Sequence, residues 1–400
     1  MFILDYSYPS EEIVHRLNTS GTNTILTDAS YPALHNNKTL NIKSLLNFNN
    51  IGGNKIFDED EPALILFTSG TTGKPKGVVH SFFTLSHQLK DIHSAWEISS
   101  SDEFFLSLPM NHIHGLVTGM LNGLAAGASI TIHGQFEAEQ IWRKLLEERT
   151  TFFTAVPAIY SKLLTHARAS KKAFNLDHLR LMISGSSPLS EPLLNAWMSE
   201  LRKKGIVERY GMTETGMIAS NNINLAKAGC VGKAFDSVEI KIDGSIDGFG
   251  QVLVRGPGLF KGYLTSNEFK PRDPLEFFNT GDQGYFDREA DLKLVGRDRD
   301  ILKVSGYKVG CGEIESEIAN CPGVQECAVI GIVDPRDAAN QLIACLIVSD
   351  ADEIIGEVRK LLTTRLAHYK IPRRWQVTRD PLPRNLIGKP DHKQIMELFK

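Results

Sequence analysis

Apolar residues in the first half of this chain follow two patterns, short continuous runs and repeats at helical spacing. Short apolar runs at 63–67, 104–108 and 151–156 have the length and composition of buried β-strands. Between them, segments 82–98 and 135–149 repeat apolar residues at the spacing of amphipathic helices. Strands that alternate with helices in this way predict a parallel β-sheet with helices packed on both faces.

Two further patterns divide the rest of the chain. Residues 228–296 alternate short strands with turns, which predicts a small antiparallel sheet or barrel packed on the parallel layers. Strand patterns at 326–333 and 342–348, flanked by helical patterns, predict a compact α+β unit. We therefore predict an α/β protein with a large domain over residues 1–297, including a β-barrel-like subdomain, and a small mobile α+β domain over residues 298–400.

The amino-acid composition limits the cellular location and the kinds of binding partner that we expect for this protein. Hydrophobic residues make up 42% of the chain and charged residues 23%, as in ordinary globular proteins. The net charge of −3 provides no basic excess for a nucleic-acid binder. The uncharged stretch 115–132 contains Gly, Asn, Ser and Thr throughout, so we expect a buried helix running into a strand and no integral membrane segment. The first residues lack the basic start of a signal peptide, and the five cysteines show no disulfide or zinc spacing, which predicts a cytoplasmic protein.

The strongest chemical signal is the stretch 66–78, which reads Leu-Phe-Thr-Ser-Gly-Thr-Thr-Gly-Lys-Pro-Lys-Gly-Val. Its glycines can expose backbone N–H groups, its hydroxyl side chains add donors and its two lysines add positive charge, as a polyphosphate requires. A Walker A loop needs Ser or Thr directly after its lysine, whereas Pro75 follows Lys74, so a P-loop kinase is not favoured. The predicted phosphate contacts are Thr68, Ser69, Gly70, Thr71, Thr72, Gly73, Lys74 and Lys76.

Polar residues near later strand ends suit a nucleotide. Gly185 and the serines after it allow a flat ligand to approach the backbone closely. In the string Tyr210-Gly-Met-Thr-Glu, the tyrosine ring can stack on a purine and Thr213 can donate to a phosphate. Glu214 offers a hard oxygen ligand for Mg²⁺. These residue types are compatible with a purine nucleotide and a divalent cation.

These strings together resemble the signature motifs of the adenylate-forming superfamily, which contains acyl-CoA synthetases, adenylation domains and luciferases. The match rests on Thr-Ser-Gly-Thr-Thr-Gly-x-Pro-Lys-Gly, Tyr-Gly-x-Thr-Glu, Thr280-Gly-Asp282 and the late Pro-Arg-x-x-x-Gly-Lys389, in the family's order and over nearly the whole chain. The resemblance implies an AMP-forming acid–thiol ligase that uses ATP, Mg²⁺ and coenzyme A. A carboxylate would attack the α-phosphate of ATP and displace pyrophosphate, and the thiol would then attack the carbonyl of the acyl-adenylate and displace AMP.

The resemblance also implies catalytic roles for individual positions. Lys389 would approach ATP during adenylation and then leave so that the thiol can enter, as the small domain rotates about a hinge at Arg299. Glu214 would hold the metal, and His112 would lie beside the acyl carboxylate. The fourth implied catalytic residue is Thr71.

Two sets of substrate contacts follow from the same resemblance. The residues that would border the coenzyme A channel are Ser305, Gly306 and Lys308. The residues that would contact adenine, ribose or phosphate beyond the loop are Gly185, Ser186, Ser187, Pro188, Tyr210, Gly211, Met212, Thr213, Asp282 and Arg297.

Several local strings, including His112-Ile-His-Gly-Leu and Glu208-Arg-Tyr-Gly-Met-Thr-Glu-Thr, look most like malonyl-CoA synthetases. A dicarboxylic acid carries a second charge, and Arg209 could hold it as a bidentate partner. Lys162 matches a position where those relatives carry arginine or lysine. Arg209 could instead be an exposed arginine at a strand end, or it could pair with Glu208.

Two other functions remain open from the sequence. The small-molecule carboxylic acid could be a medium-chain fatty acid or an aryl acid, again as part of acyl-CoA and fatty acid metabolism. Similar proteins carry a long stretch ahead of the segment that matches residues 8–17, so the chain resembles a member shortened at its amino terminus. A nucleotide-binding homologue with impaired catalysis is therefore the third alternative. The sequence contains no signal for the oligomeric state.

Overall fold

The computed structural model describes most of the chain. The described residues are 10–21, 24–27, 38–41, 58–68, 76–134, 136–147, 149–170, 174–246, 249–265, 268–297, 301–304, 307–334, 337–351, 353–384 and 390–399. The predicted site residues that lie outside them are Ser69, Gly70, Thr71, Thr72, Gly73, Lys74, Arg299, Ser305, Gly306 and Lys389.

The first elements lead to a hairpin around the predicted phosphate loop. Thr68 and Lys76, which flank residues 69–75, are register partners in an antiparallel pair of strands. The sequence pattern does not predict the second strand of this pair, because it indicates a helix directly after the loop. The elements are α1 (Ser10–Ser20), β1 (Thr24–Thr27), β2 (Lys38–Asn41), β3 (Pro62–Thr68) and β4 (Lys76–Ser81).

A seven-stranded sheet forms the centre of the large domain. Its strands in chain order are β5 (Glu103–Leu106), β6 (Ser129–Ile132), β7 (Phe152–Ala155), β8 (Leu181–Ser184), β9 (Val207–Met212), β10 (Gly216–Ser220) and β11 (Lys233–Ala234). The spatial order is β11-β10-β9-β8-β7-β5-β6. The strands from β6 to β9 are parallel, as predicted, and β10 and β11 add antiparallel pairs at one edge. Strand β6 lies on one side of β5, and the next strand along the chain, β7, lies on the other side. The crevice between the carboxyl ends of β5 and β7 is therefore the topological switch point, where open α/β sheets bind ligands.

Helices pack their apolar faces against this sheet. Ser81 caps α2 through a reciprocal pair of hydrogen bonds with Thr84. The core beneath α2 contains Trp96 and the stacked rings of Phe104 and Phe152, whose centroids lie 4.1 Å apart. The helices are α2 (Phe82–Trp96), a π-helix (His114–Leu121), α3 (Asn122–Ala126), α4 (Ala138–Leu145), α5 (Pro157–Ser170) and α6 (Glu191–Glu200).

Two antiparallel sheets complete the large domain. One has the order β12-β13-β16-β17, and the other, β15-β14-β4-β3, joins later strands to the phosphate-loop hairpin. The strands are β12 (Glu239–Ile246), β13 (Phe249–Arg255), β14 (Gly262–Leu264), β15 (Phe269–Pro271), β16 (Phe278–Phe286) and β17 (Leu292–Arg297).

The remaining residues form an α+β unit with its own apolar core around Ile314, Val329 and Leu362. Strands β20 and β21 pair antiparallel, and β22 joins β21 in parallel. The elements are β18 (Ile301–Val304), β19 (Tyr307–Gly310), α7 (Cys311–Ala319), β20 (Glu326–Asp334), β21 (Asp337–Val348), α8 (Ile354–Arg365), a 3₁₀ turn (His368–Lys370), β22 (Arg374–Thr378) and α9 (His392–Glu397). The mixed α/β class is confirmed, while the domain boundary at residue 297 stays a prediction.

The uncharged stretch 115–132 forms the π-helix, α3 and β6, as expected of a buried helix running into a strand. Within the described part of the chain, no helix combines the length and the apolarity needed to cross a membrane.

Candidate nucleotide and acid site

A tight hairpin between β9 and β10 presents the Tyr-Gly-Met-Thr-Glu string. Gly216 closes the turn with a φ of +65°, a conformation that favours glycine. Gly211 packs so closely that a Cβ there would lie 2.2 Å from the Gly216 carbonyl oxygen. The close approach of the two strands therefore requires glycine at both positions, and it holds Met212 and Thr213 at the tip.

The predicted adenine and ribose residues meet across the sheets. The Tyr210 hydroxyl donates to Asp282 Oδ2 at 2.5 Å, and Arg297 Nε lies 3.1 Å from Asp282 Oδ1. Burial and the Asp282 carboxylate raise the pKa of Tyr210 well above its ordinary value, so the hydroxyl stays protonated and donates. Three residues predicted from separate motifs thus form one hydrogen-bonded set.

Glu214 lies buried beside this set. Its side chain is 8% exposed and accepts a hydrogen bond from the Tyr263 hydroxyl at 3.1 Å. Burial raises the pKa of Glu214, because desolvation outweighs its hydrogen bonds and the nearby cations Arg297 and Lys76. A buried carboxylate that lacks full charge compensation fits a hard cation such as Mg²⁺.

The described residues contain no group of three or more His, Cys, Asp or Glu side chains that could enclose a metal. A single carboxylate suits Mg²⁺, because this ion usually binds one or two protein carboxylates together with phosphate oxygens and water. The donor set around Glu214 therefore fits a metal that arrives with a nucleotide.

A buried histidine on β4 fixes the peptide before Glu214. His80 Nε2 donates to the Thr213 carbonyl at 2.8 Å, and Gln88 Nε2 lies 3.3 Å from His80 Nδ1. Burial lowers the pKa of His80 to about 4, so the ring is neutral at physiological pH. Sequence reasoning missed this residue, because its partner is 133 positions away along the chain.

A second buried histidine lies near the switch point, where it contacts residues of β7 and of the turn after β8. His114 opens the π-helix, with Nε2 at 2.7 Å from Thr154 Oγ1 and Nδ1 at 3.1 Å from Ser186 Oγ. Burial first, and then the charges of Arg209 and His112, lower its pKa well below the usual value. His112, which is half-buried, was the histidine selected from the sequence. The pair itself was visible in the sequence, but only the folded chain distinguishes the buried member.

Arg209 is buried close to His114 and Gly185. Its side chain is 3% exposed, and its Nε and Nη2 atoms have no hydrogen-bond partner among the described residues. Burial lowers the pKa of Arg209 to about 9, which still leaves the guanidinium charged at neutral pH. It also packs against Gly185 in the turn after β8. The alternative of an exposed arginine is therefore wrong.

Glu208 does not neutralise Arg209. The two residues are neighbours in a strand, so their side chains point to opposite faces. Glu208 Oε1 accepts a hydrogen bond from the Leu189 amide at 2.8 Å, and burial raises the pKa of the carboxyl to about 8. The salt bridge considered from the sequence is absent from the described residues, and Glu208 instead braces the turn that carries Gly185.

The other predicted contacts are more dispersed. Gly185 is buried, whereas Ser186, Ser187 and Pro188 are exposed at the carboxyl end of β8. Lys162 lies exposed in the first turns of α5, with its ammonium 5.3 Å from the ring centroid of Phe136.

The chain is similar to known proteins over almost all of its length. The AMP-binding enzyme family matches residues 2–264, and the AMP-binding enzyme C-terminal domain matches residues 313–389. A malonate–CoA ligase of Arabidopsis thaliana is 35% identical over 98% of this chain and 72% of its own length. The ATP-bound structure of MatB from Rhodopseudomonas palustris superposes with a TM-score of 0.86, with 28% identity, over 100% of this chain and 83% of that one. An O-succinylbenzoate coenzyme A synthetase from Bacillus subtilis, in complex with ATP and a magnesium ion, gives a TM-score of 0.81 and 27% identity over 98% and 83% of the two chains.

The chain belongs to the AMP-binding enzyme family. It is similar throughout its length to acid–CoA ligases, which confirms the superfamily, the enzyme class and the AMP-forming ligase chemistry predicted from the motifs.

Proposed function

We propose that this protein joins malonate to coenzyme A through an acyl-adenylate. The observation that carries the proposal is Arg209, a buried guanidinium whose Nε and Nη2 atoms have no hydrogen-bond partner among the described residues. It lies against Gly185, near the switch point where open α/β sheets bind ligands. A monocarboxylic acid would leave this charge uncompensated. The second carboxylate of malonate would accept its free N–H groups in a bidentate pair.

A second buried arginine, Arg202, has hydrogen-bond partners for all three of its guanidinium nitrogens. Arg202 donates to the carbonyl oxygens of Leu179, Arg180 and Gly205 and is 2% exposed. All its hydrogen-bonding neighbours are backbone groups, which marks it as a structural arginine. Arg209 is as deeply buried, but its Nε and Nη2 atoms have no hydrogen-bond partner among the described residues. Leaving buried donors of a charged group unsatisfied is costly. A ligand whose carboxylate accepts these hydrogen bonds would explain why the protein has a buried arginine at position 209.

In the first half-reaction, the chain's residues position and neutralise two anions. Tyr210 and Asp282 would hold adenine and ribose, while the loop from Thr68 to Lys76 would bind phosphate oxygens. Arg209 would hold the distal carboxylate, so that the other carboxylate points toward the α-phosphorus. Such catalysis is mostly positioning and charge neutralisation.

ATP, Mg²⁺ and coenzyme A are the proposed partners of these residues. Mg²⁺ neutralises phosphate oxygens when bound, and Glu214 is the described carboxylate that would hold it. Lys389 and Thr71 are proposed to assist adenylation, Arg299 to act as the hinge, and Ser305, Gly306 and Lys308 to border the thiol's path.

We also propose a cytoplasmic location and a role in fatty acid metabolism, which uses acyl-CoA thioesters. All five cysteines are free thiols and four are buried, which fits a reducing compartment. Fractionation of cells that express the tagged chain tests the location.

A substrate panel tests the acid. Purified protein with ATP, Mg²⁺ and coenzyme A is assayed for pyrophosphate and AMP with malonate, oxalate, succinate, acetate, octanoate and coumarate. We expect malonate to give the highest kcat/KM. Octanoate or coumarate ahead of malonate would favour the fatty or aryl acid alternative, and nucleotide binding without pyrophosphate release would favour the impaired homologue.

Substitutions at position 209 test whether Arg209 is responsible for the preference for malonate. Arg209→Leu should lower kcat/KM for malonate about 30- to 150-fold, since a charged hydrogen-bonded pair is worth roughly 2–3 kcal/mol. Activity with acetate should change little. Arg168→Gln is the control, because Arg168 is exposed and pairs with Glu200 on the surface. Equal losses with both acids would contradict the proposed role.

A further inference from the structure

The segment from Phe260 to Tyr263 joins Glu214 to the strand that leaves the phosphate loop. The Phe260 amide donates to the Glu214 carbonyl at 2.8 Å, and the Lys261 amide donates to the Val79 carbonyl at 2.8 Å. The segment then enters β14, which pairs with β4. The backbone around Glu214 is thereby tied to the sheet that carries the phosphate-loop hairpin.

The Tyr263 side chain contacts a different charged residue through each of its two parts. Its hydroxyl donates to Glu214 Oε1 at 3.1 Å. The ammonium of Lys76, the first residue of β4, lies 5.5 Å from the centroid of its ring. The ring of Phe260 packs edge-on against it, with centroids 4.8 Å apart. Tyr263 therefore lies between the proposed metal carboxylate and a lysine of the proposed phosphate loop.

We propose that Tyr263 is a positioning residue for nucleotide binding, in which the hydroxyl orients the Glu214 carboxylate and the ring face holds the Lys76 ammonium. This inference rests on the proposed roles of Glu214 and Lys76 and adds a residue that none of the sequence motifs includes.

The two contacts work by different physics. A hydrogen bond to one carboxylate oxygen fixes the rotation of the carboxylate and leaves the other oxygen for a cation. A lysine ammonium over an aromatic face is attracted by the ring quadrupole, which restrains an otherwise flexible side chain. Removing the hydroxyl should therefore affect only the metal-dependent part of ATP binding, whereas removing the ring should also affect the metal-independent part.

Equilibrium binding measures both parts without turnover. Titration calorimetry gives the affinity for ATP with excess Mg²⁺ and for ATP with EDTA, using the wild type, Tyr263→Phe, Tyr263→Leu and the control Tyr285→Phe, whose tyrosine is exposed on β16. We expect Tyr263→Phe to weaken MgATP binding at least tenfold and to leave metal-free ATP binding within twofold. Tyr263→Leu should weaken both, and Tyr285→Phe neither. Tyr263→Phe removes one oxygen atom only, and its thermal midpoint without nucleotide verifies folding.

Glu214→Gln, measured in parallel, distinguishes failure of the proposed role of Tyr263 from failure of the proposed metal-binding role of Glu214. If Glu214→Gln weakens MgATP binding selectively but Tyr263→Phe does not, the role of Tyr263 is overturned and that of Glu214 stands. If Glu214→Gln has no selective effect, the proposed metal role of Glu214 fails and the inference falls with it. The double variant should bind MgATP no more weakly than Glu214→Gln alone.

Discussion

Arg209 lies directly against Gly185: a Cβ atom on Gly185 would come within 2.4 Å of the guanidinium Nε. Gly185→Ala must therefore displace Arg209 while leaving its charge intact. We expect kcat/KM for malonate to fall about 30- to 100-fold, roughly 2–3 kcal/mol, because the bidentate geometry is lost. Steady-state kinetics with malonate and acetate measure the effect.

Gly356→Ala is the matched control, since no atom of the described residues lies within 4 Å of a Cβ at that helical position. It should leave kinetics unchanged and add up to about 1 kcal/mol of stability through helix propensity. Normal malonate kinetics in Gly185→Ala would show that Arg209 does not bind substrate in the described position.

Arg209→Met should stabilise the protein while reducing malonate activity. The substitution replaces a buried guanidinium, two of whose nitrogens have no hydrogen-bond partner in the described part of the chain, with an apolar side chain, which typically contributes about 1–3 kcal/mol. Arg202→Met should do the opposite and cost about 3 kcal/mol or more, because it leaves the carbonyls of Leu179 and Gly205 unsatisfied. Urea unfolding of both variants checks the contrast. Equal destabilisation by both would mean that Arg209 has a buried partner after all.

The pH dependence of stability should report on Glu208. Burial raises the pKa of its carboxyl from 4.5 to about 8 in the folded protein. Between these values the unfolded chain loses a proton that the folded chain keeps, so stability is full below pH 4.5 and falls as pH rises through 8. Glu208→Gln cannot titrate and should remove that decline, leaving the variant more stable than the wild type near pH 8.5 by on the order of 5 kcal/mol.

Denaturant unfolding at several pH values between 5 and 9 measures this slope. His80 titrates with the opposite sign, because its lowered pKa costs stability as pH falls from 6.5 toward 4. The Glu208 effect is therefore best read above pH 6.5. Parallel curves for wild type and Glu208→Gln in that range would refute the assignment.

Tyr210→Phe should weaken nucleotide binding without abolishing it. The variant retains the ring that would stack on adenine but loses the hydroxyl that holds Asp282. Hydrogen bonds to charged groups contribute about 1.5–3 kcal/mol, so we expect at least tenfold weaker ATP binding by calorimetry and a smaller change in kcat. A larger change in kcat than in ATP affinity would argue against a ribose-holding role for Asp282.

Much of the fold could be predicted because the helical and strand patterns are strong. The helix predicted at 82–98 and the strands predicted near 104 and 152 occur within a few residues of those positions. Strand β4 was missed, since Gly77 and the neighbouring loop chemistry obscure its short apolar run. It is a strand because β3 and β14 pair with it on both sides.

The motif chemistry of the site was visible locally: the hydroxyl- and glycine-rich loop, the Tyr-Gly-Met-Thr-Glu string, and Arg209 beside it. The sequence by itself determined which donors, cations and carboxylates the protein has, because these depend only on residue type. Tertiary structure alone decided that Glu208 and Arg209 are not a pair, that His114 is the buried histidine, and that Tyr263 reaches Glu214 across 49 residues. The physical reason is that burial, and with it pKa and unsatisfied hydrogen-bonding capacity, depends on neighbours brought together from distant parts of the chain.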